Sequence, residues 1–303
     1  TDNTTFNTLS YAKLNDITLF EANLITNTVT FTNSNENKDV TDNITHFNNV
    51  IATNIGSSTG RVIGDIHANH LTAAPGTYHL AGNGGDDTLI GSAGSDTLYG
   101  HTGNDSLHGG TADGSDTLFG EQGDDTLYYT AGEEYLYGGA GTDSIDFSET
   151  SVGVNYTMGS HTKHATTGTG TTSLPSLKKA IGFETVIGTS AADTITGNAY
   201  ANTLKGGPGA DTLTGGKGDD IIHGGDAIDT IEGGEGNDTI YGEAGNDIIK
   251  GDAGNNTLYG GAGNDTIHGG TGDDTIFGGD GKDTITDTLG NNILAYDDAP
   301  NGV

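Results

Sequence analysis

The sequence has no cysteine, no tryptophan and only four prolines among its 303 residues. Without cysteine, no thiolate is present to bind a metal ion. No apolar run is long enough to cross a membrane, and no charged-then-apolar leader is found, so we expect no membrane insertion. The first residue is Thr, which we expect of a mature form or an excised fragment.

Basic residues are also scarce. Ten Lys and Arg stand against 42 Asp and Glu, which gives a formal net charge of −32. Nucleic acids and anionic membranes both require basic surfaces, so neither is an expected partner. With only 31% hydrophobic residues, such a charge normally predicts disorder and disfavours an ordinary globular enzyme. A compact state therefore requires a cation that neutralises the charge.

Glycine and aspartate recur with a period of nine residues. GGAGNDTIH at 260–268 is followed directly by GGTGDDTIF, which gives the template G-G-x-G-x-D-x-U-x, with U a large aliphatic residue. The register holds over 64–146, with two extra residues inside 109–119, and over 188–295, where the last unit is weaker. We predict five segments: a β-rich module (1–63), a first array (64–146), a second β-rich module (147–187), a second array (188–295) and a tail (296–303).

The two modules outside the arrays resemble each other and alternate with period two, as strands with one buried face do. We interpret them as wider, ion-free coils of the same solenoid, with polar loops at 33–43 and 159–173. The predicted inward-facing residues of the second module are Val152, Val154, Tyr156 and Met158.

Each nonapeptide predicts a glycine turn followed by a short strand. Two units form one flat coil, so residues 18 apart stack at the strand spacing of about 4.8 Å in an all-β solenoid. The aliphatic positions then point inward as a thin core that is too small to hold the coil unaided. They include Leu89, Leu98, Leu107, Leu118, Leu127, Ile195, Leu204, Leu213, Ile222, Ile231 and Ile240.

The same stacking brings the sixth-position carboxylates together, with turn carbonyls around them. Such a column is strongly repulsive unless cations separate the charges. An all-oxygen cage suits Ca²⁺ and fits the smaller octahedron of Mg²⁺ poorly. Pairs 18 or 20 residues apart number ten with Asp at both ends and five with a substitute, so we expect about 10–15 Ca²⁺ ions. The predicted ligands are Asp87, Asp96, Asp105, Asp116, Asp125, Asp143, Asp193, Asp211, Asp220, Asp229, Asp238, Asp247, Asp265, Asp274 and Asp283, with Glu134, Asn202, Asn256 and Asn292 as weaker ones. A disordered acidic tail would not keep this register.

GGAGNDTIH, GGTGDDTIF, GGPGADTLT and GEAGNDIIK resemble the RTX, or haemolysin-type, calcium-binding repeat, over about two thirds of the chain. The resemblance implies a parallel β-roll that is unfolded in calcium-poor cytosol, folds outside the cell and is exported by a type I secretion apparatus of Gram-negative bacteria. Secretion signals of the family lie near the C-terminus, and the end here is shorter than a complete signal, as expected of a truncated or processed chain. For the 247/265 pair the implied ligands are the carbonyls of Glu243, Gly245, Gly260 and Ala262 with the carboxylates of Asp247 and Asp265.

Catalytic motifs are scarce, and we predict no enzyme. The sequence has no His-Glu pair for a zinc protease and no Asp-Pro bond for self-cleavage. G-x-S-x-G occurs at 56–60 without the strand-elbow-helix context of a nucleophile. Two histidine clusters leave two alternatives open, transition-metal binding or exposed loop residues. They comprise His67, His70 and His79, and His161 and His164.

The ninth position faces outward and carries aromatic residues at one edge of each array. We name Tyr99, Phe119 and Tyr137 the first ladder, and His223, Tyr241, Tyr259 and Phe277 the second ladder. Ordinary strand preference explains them, and so does stacking on a polysaccharide or a neighbouring subunit.

The sequence is compatible with two functions. The first is a secreted or cell-surface structural protein of a surface layer, fibre or adhesin that self-associates. The second is the C-terminal secretion and folding module of a larger type I secreted enzyme or toxin, with polysaccharide as a further partner. The repeat serves both functions for the same physical reason, so the sequence does not separate them.

Overall fold

The computed structural model describes residues 8–12, 17–33, 38–43, 49–53, 59–110, 114–130, 132–159, 171–172, 177–287 and 289–295. All regular elements in these ranges are β-strands. None of the described residues form a helix that could cross a membrane.

The strands up to residue 146 are β1 (Thr8–Ala12), β2 (Ile17–Asn23), β3 (Thr28–Asn33), β4 (Lys38–Asn43), β5 (Asn49–Thr53), β6 (Thr59–Ile63), β7 (His70–Thr72), β8 (Thr77–Gly84), β9 (Thr88–Ile90), β10 (Thr97–Thr102), β11 (Ser106–His108), β12 (Ser115–Gln122), β13 (Thr126–Tyr128), β14 (Glu133–Ala140) and β15 (Ser144–Asp146). The later strands are β16 (Asn155–Thr157), β17 (Thr171–Thr172), β18 (Leu177–Ile181), β19 (Thr185–Ile187), β20 (Thr194–Thr196), β21 (Thr203–Pro208), β22 (Thr212–Lys217), β23 (Ile221–Asp226), β24 (Thr230–Glu235), β25 (Thr239–Ala244), β26 (Ile248–Ala253), β27 (Thr257–Ala262), β28 (Thr266–His268), β29 (Thr275–Asp280), β30 (Thr284–Thr286) and β31 (Ile293–Ala295).

The chain forms two compact units, and unit 1 runs to Ile145 and includes the described part of Ser176–Phe183. Its strands alternate between two sheets, in the orders β1-β5-β7-β9-β11-β13-β15 and β18-β14-β12-β10-β8-β6-β2. Neighbours in these orders are parallel, so two successive strands make one coil. Leu98 lies beside Leu118, which confirms that the two extra residues leave the stacking intact.

The first module departs from a simple coil. At the edge of the second sheet, β3 pairs antiparallel with β2, and β4 pairs antiparallel with β3. The polar loop predicted at 33–43 is therefore wrong over Lys38–Asn43, which forms β4. Here Val40 alternates with polar residues, and pairing beside β3 supplies the backbone hydrogen bonds that such a loop would otherwise take from water. The loop predicted at 159–173 lies largely outside the described residues.

Unit 2 comprises the described residues of Asp146–His161, Gly168–Pro175 and Glu184–Val303. Its parallel orders are β19-β21-β23-β25-β27-β29-β31 and β16-β20-β22-β24-β26-β28-β30, and β17 pairs antiparallel with β16. Tyr241 lies beside Tyr259, 18 residues on. The parallel all-β solenoid predicted from the repeat is confirmed.

Two columns of aliphatic side chains, one from each sheet, fill the interior of each unit. The predicted core residues, from Leu89 to Leu127 and from Ile195 to Ile240, are all 0% exposed. In the second module Val154, Tyr156 and Met158 are buried as predicted, but Val152 is 62% exposed and its inward placement is wrong. Val152 lies in a bend before β16, where the alternation of a strand does not yet apply.

The outward aromatic residues form continuous stacks. In the first ladder the ring centroids are 5.0 Å apart for Tyr99 and Phe119, and 4.8 Å apart for Phe119 and Tyr137. The second ladder stacks in the same way at 4.6–4.8 Å. Equal spacing of coils therefore places like side chains in register on the surface as well as in the core.

Candidate metal centres

The sixth-position side chains of the repeats lie in the interior although most of them are carboxylates. Most of the predicted ligands are at most 3% exposed: Asp87, Asp96, Asp105, Asp116, Asp125, Glu134, Asp143, Asp193, Asn202, Asp211, Asp220, Asp229, Asp238, Asp247, Asn256, Asp265 and Asp274. Asp283 is half-buried and Asn292 is exposed, in the last two units. Burial of so many carboxylates requires a compensating interaction at each.

One carboxylate oxygen of each pair is satisfied by the backbone of the preceding coil. The sixth-position N–H of one turn donates to Oδ1 of the residue 18 or 20 positions later, at 2.7–3.0 Å. All ten Asp/Asp pairs are joined in this way: 87/105, 105/125, 125/143, 96/116, 193/211, 211/229, 229/247, 247/265, 265/283 and 220/238. The structure thus brings together the pairs that the nonapeptide register predicts.

The second oxygen of most of these carboxylates has no protein partner. Oδ2 is buried without a hydrogen bond in Asp87, Asp105, Asp125, Asp211, Asp220, Asp229, Asp238, Asp247, Asp265 and Asp274. Two members differ, because Oδ2 of Asp96 accepts from the Ser92 N–H and Oδ2 of Asp193 accepts from the Thr189 N–H. An unpartnered buried carboxylate oxygen is costly and marks where a cation fits.

The 247/265 pair shows the surroundings of such an oxygen. Gly242 is the first residue of the nonapeptide 242–250. A Cβ added to it would clash with Asp247 Oδ2 and with the carbonyl oxygen of Gly260. Glycine is required here because these oxygens approach its Cα closely. The two oxygens therefore converge on one place between successive turns.

Other carbonyls approach the same gap from the earlier turn. The carbonyl oxygen of Glu243 points at Gly261, and that of Gly245 points at Gly263. The Ala262 carbonyl accepts a hydrogen bond from the Gly245 N–H at 2.9 Å. The atoms that could coordinate a metal ion here are all oxygens and come from two successive turns. Oxygen ligands are those that Ca²⁺ prefers.

Burial makes these carboxylates hard to ionise in the absence of a cation. Burial, together with the neighbouring carboxylates of Asp229 and Asp265, raises the pKa of Asp247 to about 7, against the hydrogen bond from the Asp229 N–H. Burial likewise raises the pKa of Asp87 to about 8 and that of Glu134 to about 8. A divalent ion reverses this preference, because it stabilises the charged carboxylates.

The sixth positions that carry Asn or Glu in place of Asp differ in which feature they keep, the hydrogen bond from the preceding coil or the unpartnered second oxygen. Asn256 keeps the backbone bond, since its Oδ1 accepts from the Asp238 N–H at 2.9 Å, but its amide nitrogen takes the place of the free oxygen. Asn292 similarly accepts from the Asp274 N–H. Glu134 instead accepts from the Thr130 hydroxyl and leaves Oε2 buried without a partner.

Sequence reasoning missed the residues that end the carboxylate rows of unit 1. Asn69 and Tyr78 occupy the sixth position of the first two nonapeptides, 64–72 and 73–81, and their N–H groups donate to Asp87 and Asp96. The Tyr78 ring is 0% exposed and lies against Gly60. The nine-residue register alone would have identified both positions.

Unit 2 holds two further residues that the register did not single out. Val154 occupies the turn before Asp193, to which its N–H donates at 2.7 Å. At the other end, Asp287 stands at a first position, and its Oδ2 and that of Asp274 both approach Gly269. A carboxylate in place of the first glycine was the available signal for Asp287.

Histidine contributes little to these centres. Among the described residues no three His, Asp or Glu side chains come together as a metal-binding group. His67 lies 3.1 Å from Asp65, while His161 and His164 fall outside the described residues, as do the serines of 56–60. The centres between the coils therefore depend on pairs of carboxylates supplemented by backbone carbonyls.

Comparison with protein families agrees with this geometry. The model of the RTX calcium-binding nonapeptide repeat matches residues 81–113, 111–145, 187–222, 223–258, 250–285 and 259–294, which together cover more than half of the chain. A search of curated proteins finds no match. Repeats of this family bind multiple Ca²⁺ ions, and proteins that carry them are typically secreted. The chain therefore belongs to the family of RTX calcium-binding nonapeptide repeat proteins and is a calcium-binding β-roll.

Proposed function

We propose that the sixth-position carboxylates are the calcium ligands of this chain, with the turn carbonyls completing each site. The unpartnered Oδ2 atoms and the convergent carbonyl at Gly260 support this assignment. Asp96 and Asp193 contribute more weakly, because protein N–H groups already satisfy both of their oxygens. Asn202, Asn256, Asn292 and Glu134 are weaker members of the same rows.

Folding of the chain depends on calcium. The observation that carries this proposal is the rows of buried carboxylates, most of which keep one oxygen that no protein group satisfies. Without cations, ionised carboxylates at this burial cost more than the thin aliphatic core of each unit stabilises. With about 10–15 Ca²⁺ ions, about +20 to +30 offsets the net charge of −32.

The protein works outside the cell, as a calcium-rigidified structural or adhesive element of a surface layer, fibre or adhesin. Extracellular calcium modules operate at about 10⁻⁴–10⁻³ M Ca²⁺, far above the levels that cytosolic sensors detect. The chain is therefore exported unfolded, by a type I secretion apparatus, and folds after export. A β-solenoid made of repeats is typically structural, and we assign it no catalytic activity.

A calcium titration tests both parts of the proposal. Far-UV circular dichroism and size-exclusion light scattering are measured on the same samples from chelated to millimolar calcium. We expect a steep transition from disorder to β structure, followed by growing oligomers. Absence of any transition would refute calcium-dependent folding. A transition that ends in a monomer would refute the self-associating element and favour a folding module of a larger secreted protein.

A further inference from the structure

The only arginine of the chain lies in a groove on the outer face of unit 1. The groove has a volume of about 370 Å³, and β6, β8, β10 and β12 form its walls. Its lining includes Arg61, His79, Ala81, Tyr99, His101 and Glu121. This volume lies at the lower end of the range of small-ligand pockets, enough for one or two sugar rings.

The floor of the groove contains an aromatic face that no side chain of the ladder covers. Phe119 stacks on one face of Tyr99, and Lys179 caps the far end of the first ladder, 5.0 Å from the centre of the Tyr137 ring. On the other side of Tyr99, its neighbour in register is Ala81, whose methyl group is too small to cover a ring. The His101 ring also lies against Tyr99, with the ring centroids 5.8 Å and the planes 18° apart. On the side of Ala81, the first ladder ends in the groove without a further ring in register.

Arg61 supplies a positive charge beside this face. It is exposed and lies in register with His79, two residues along β6 from Ile63, which is in register with Ala81 and Tyr99. Glu21 is its neighbour on the other side, yet none of the described acidic residues forms an ion pair or hydrogen bond with Arg61. A guanidinium that no described acidic residue pairs with can take an external carboxylate, which it binds in bidentate fashion.

The opposite wall carries hydrogen-bonding groups that are already oriented. His101 Nδ1 lies 2.9 Å from Glu121 Oε2, and both residues have positive φ values, of 75° and 79°. These two residues are neighbours in register across β10 and β12, and held in this way they present a fixed pair of polar groups to the groove. Such a pair suits the hydroxyl groups of a sugar ring.

From these contacts we infer that the groove binds a uronic acid unit of an acidic polysaccharide. The apolar face of the pyranose ring stacks on Tyr99, its carboxylate pairs with Arg61, and its hydroxyl groups contact the His101–Glu121 pair. This inference rests on the proposed adhesive function and names the class of ligand that the protein would adhere to. The binding site itself requires only that unit 1 is folded.

The test is isothermal titration calorimetry of the calcium-loaded full chain with a glucuronate oligosaccharide and with its uncharged glucose counterpart. We expect the wild type to bind the glucuronate form at least tenfold more tightly than the glucose form. Ala81→Phe extends the first ladder over Tyr99 without removing a polar group and should weaken binding at least tenfold. Arg61→Gln should reduce the affinity for glucuronate to that for glucose.

Tyr241→Ala is the matched control, because its ring is covered on both faces within the second ladder and lies outside the groove. It should leave glucuronate binding unchanged. Circular dichroism of each variant at the same calcium concentration verifies folding, so a failure of sugar binding is distinguished from a failure of calcium-dependent folding. Equal affinity for both sugars, no binding to the folded wild type, or binding that survives Ala81→Phe would overturn the inference.

Discussion

Replacement of Asp247 by Asn separates the charge of a calcium site from its hydrogen bond. Oδ1 of Asp247 accepts from the Asp229 N–H, and the N–H of Asp247 donates to Asp265, both at 2.9 Å. The natural Asn256 makes the same two bonds, at 2.9 and 2.8 Å, so an amide is compatible with the coil. Asp247→Asn should therefore keep the stacking and remove only the oxygen proposed to bind calcium in two adjacent sites.

The size of the effect follows from linkage. An ion present at 100 times its dissociation constant stabilises the fold by about 2.7 kcal/mol, so the loss of two ions costs about 5 kcal/mol. About ten ions bind as unit 2 folds, so a small rise in the calcium concentration compensates for this loss of stability. The calcium midpoint therefore rises about twofold, and the transition becomes less steep. Asp247→Ala also leaves the buried Asp229 N–H without an acceptor, which costs a further 1–3 kcal/mol or so.

The assay combines the calcium midpoint from far-UV circular dichroism with urea unfolding at saturating calcium. Asp219→Asn is the matched control, because it removes the same charge from an exposed side chain whose Oδ1 accepts a comparable bond from the Asn237 N–H. We expect the order of stability to be wild type and Asp219→Asn, then Asp247→Asn, then Asp247→Ala. An Asp247→Asn variant that behaves like Asp219→Asn would refute the assignment of Asp247 as a ligand.

Three further predictions follow from the same geometry. Asn256→Asp restores a carboxylate between Asp238 and Asp274 and should lower the calcium midpoint, and an unchanged midpoint in the same titration would contradict this. Ala227 has a φ of 84°, so Ala227→Gly should relieve backbone strain and stabilise the calcium-loaded protein by about 1 kcal/mol, measured by urea unfolding; a destabilised variant would contradict it. Burial raises the pKa of Asp247 from 3.8 to about 7 and that of Asp87 to about 8 without calcium, so the ion-free fold is most stable below pH 4 and loses stability as the pH rises towards 8. Acidification without calcium should therefore increase β structure in circular dichroism, and the calcium midpoint should rise as the pH falls below about 7; a midpoint independent of pH from 5 to 8 would disagree.

The repeat predicts much of the fold because each of its positions has one geometric role. The aliphatic position fixes the inward direction, and an offset of 18 or 20 residues fixes the neighbour, as Leu98 and Leu118 show. The pairing of carboxylates follows from the same offsets. Local period and stacking distance are therefore sufficient for the core, the sheet order and the candidate metal centres.

Other features depend on contacts that no period contains. β4 exists because β3 offers it an antiparallel edge, and Tyr78 ends a carboxylate row because its ring finds space against Gly60. Asp193 fits the repeat, yet the Thr189 N–H and the Val154 N–H satisfy its two oxygens. The sequence shows which residue occupies a position, but some partners, such as Val154 and Gly60, come from segments outside the arrays.

The contrast between Asn256 and its Asp neighbours shows what the carboxylates add. Both side chains accept the backbone N–H of the preceding coil, so the stacking of turns requires an oxygen at that position and not a charge. An amide meets this requirement without any ion, whereas a buried carboxylate leaves a second oxygen unsatisfied and has a raised pKa. Asp in place of Asn therefore makes the coil less stable without calcium and more stable with it. The repeated Asp therefore supports the proposed dependence of folding on calcium, which the proposed export of an unfolded chain requires.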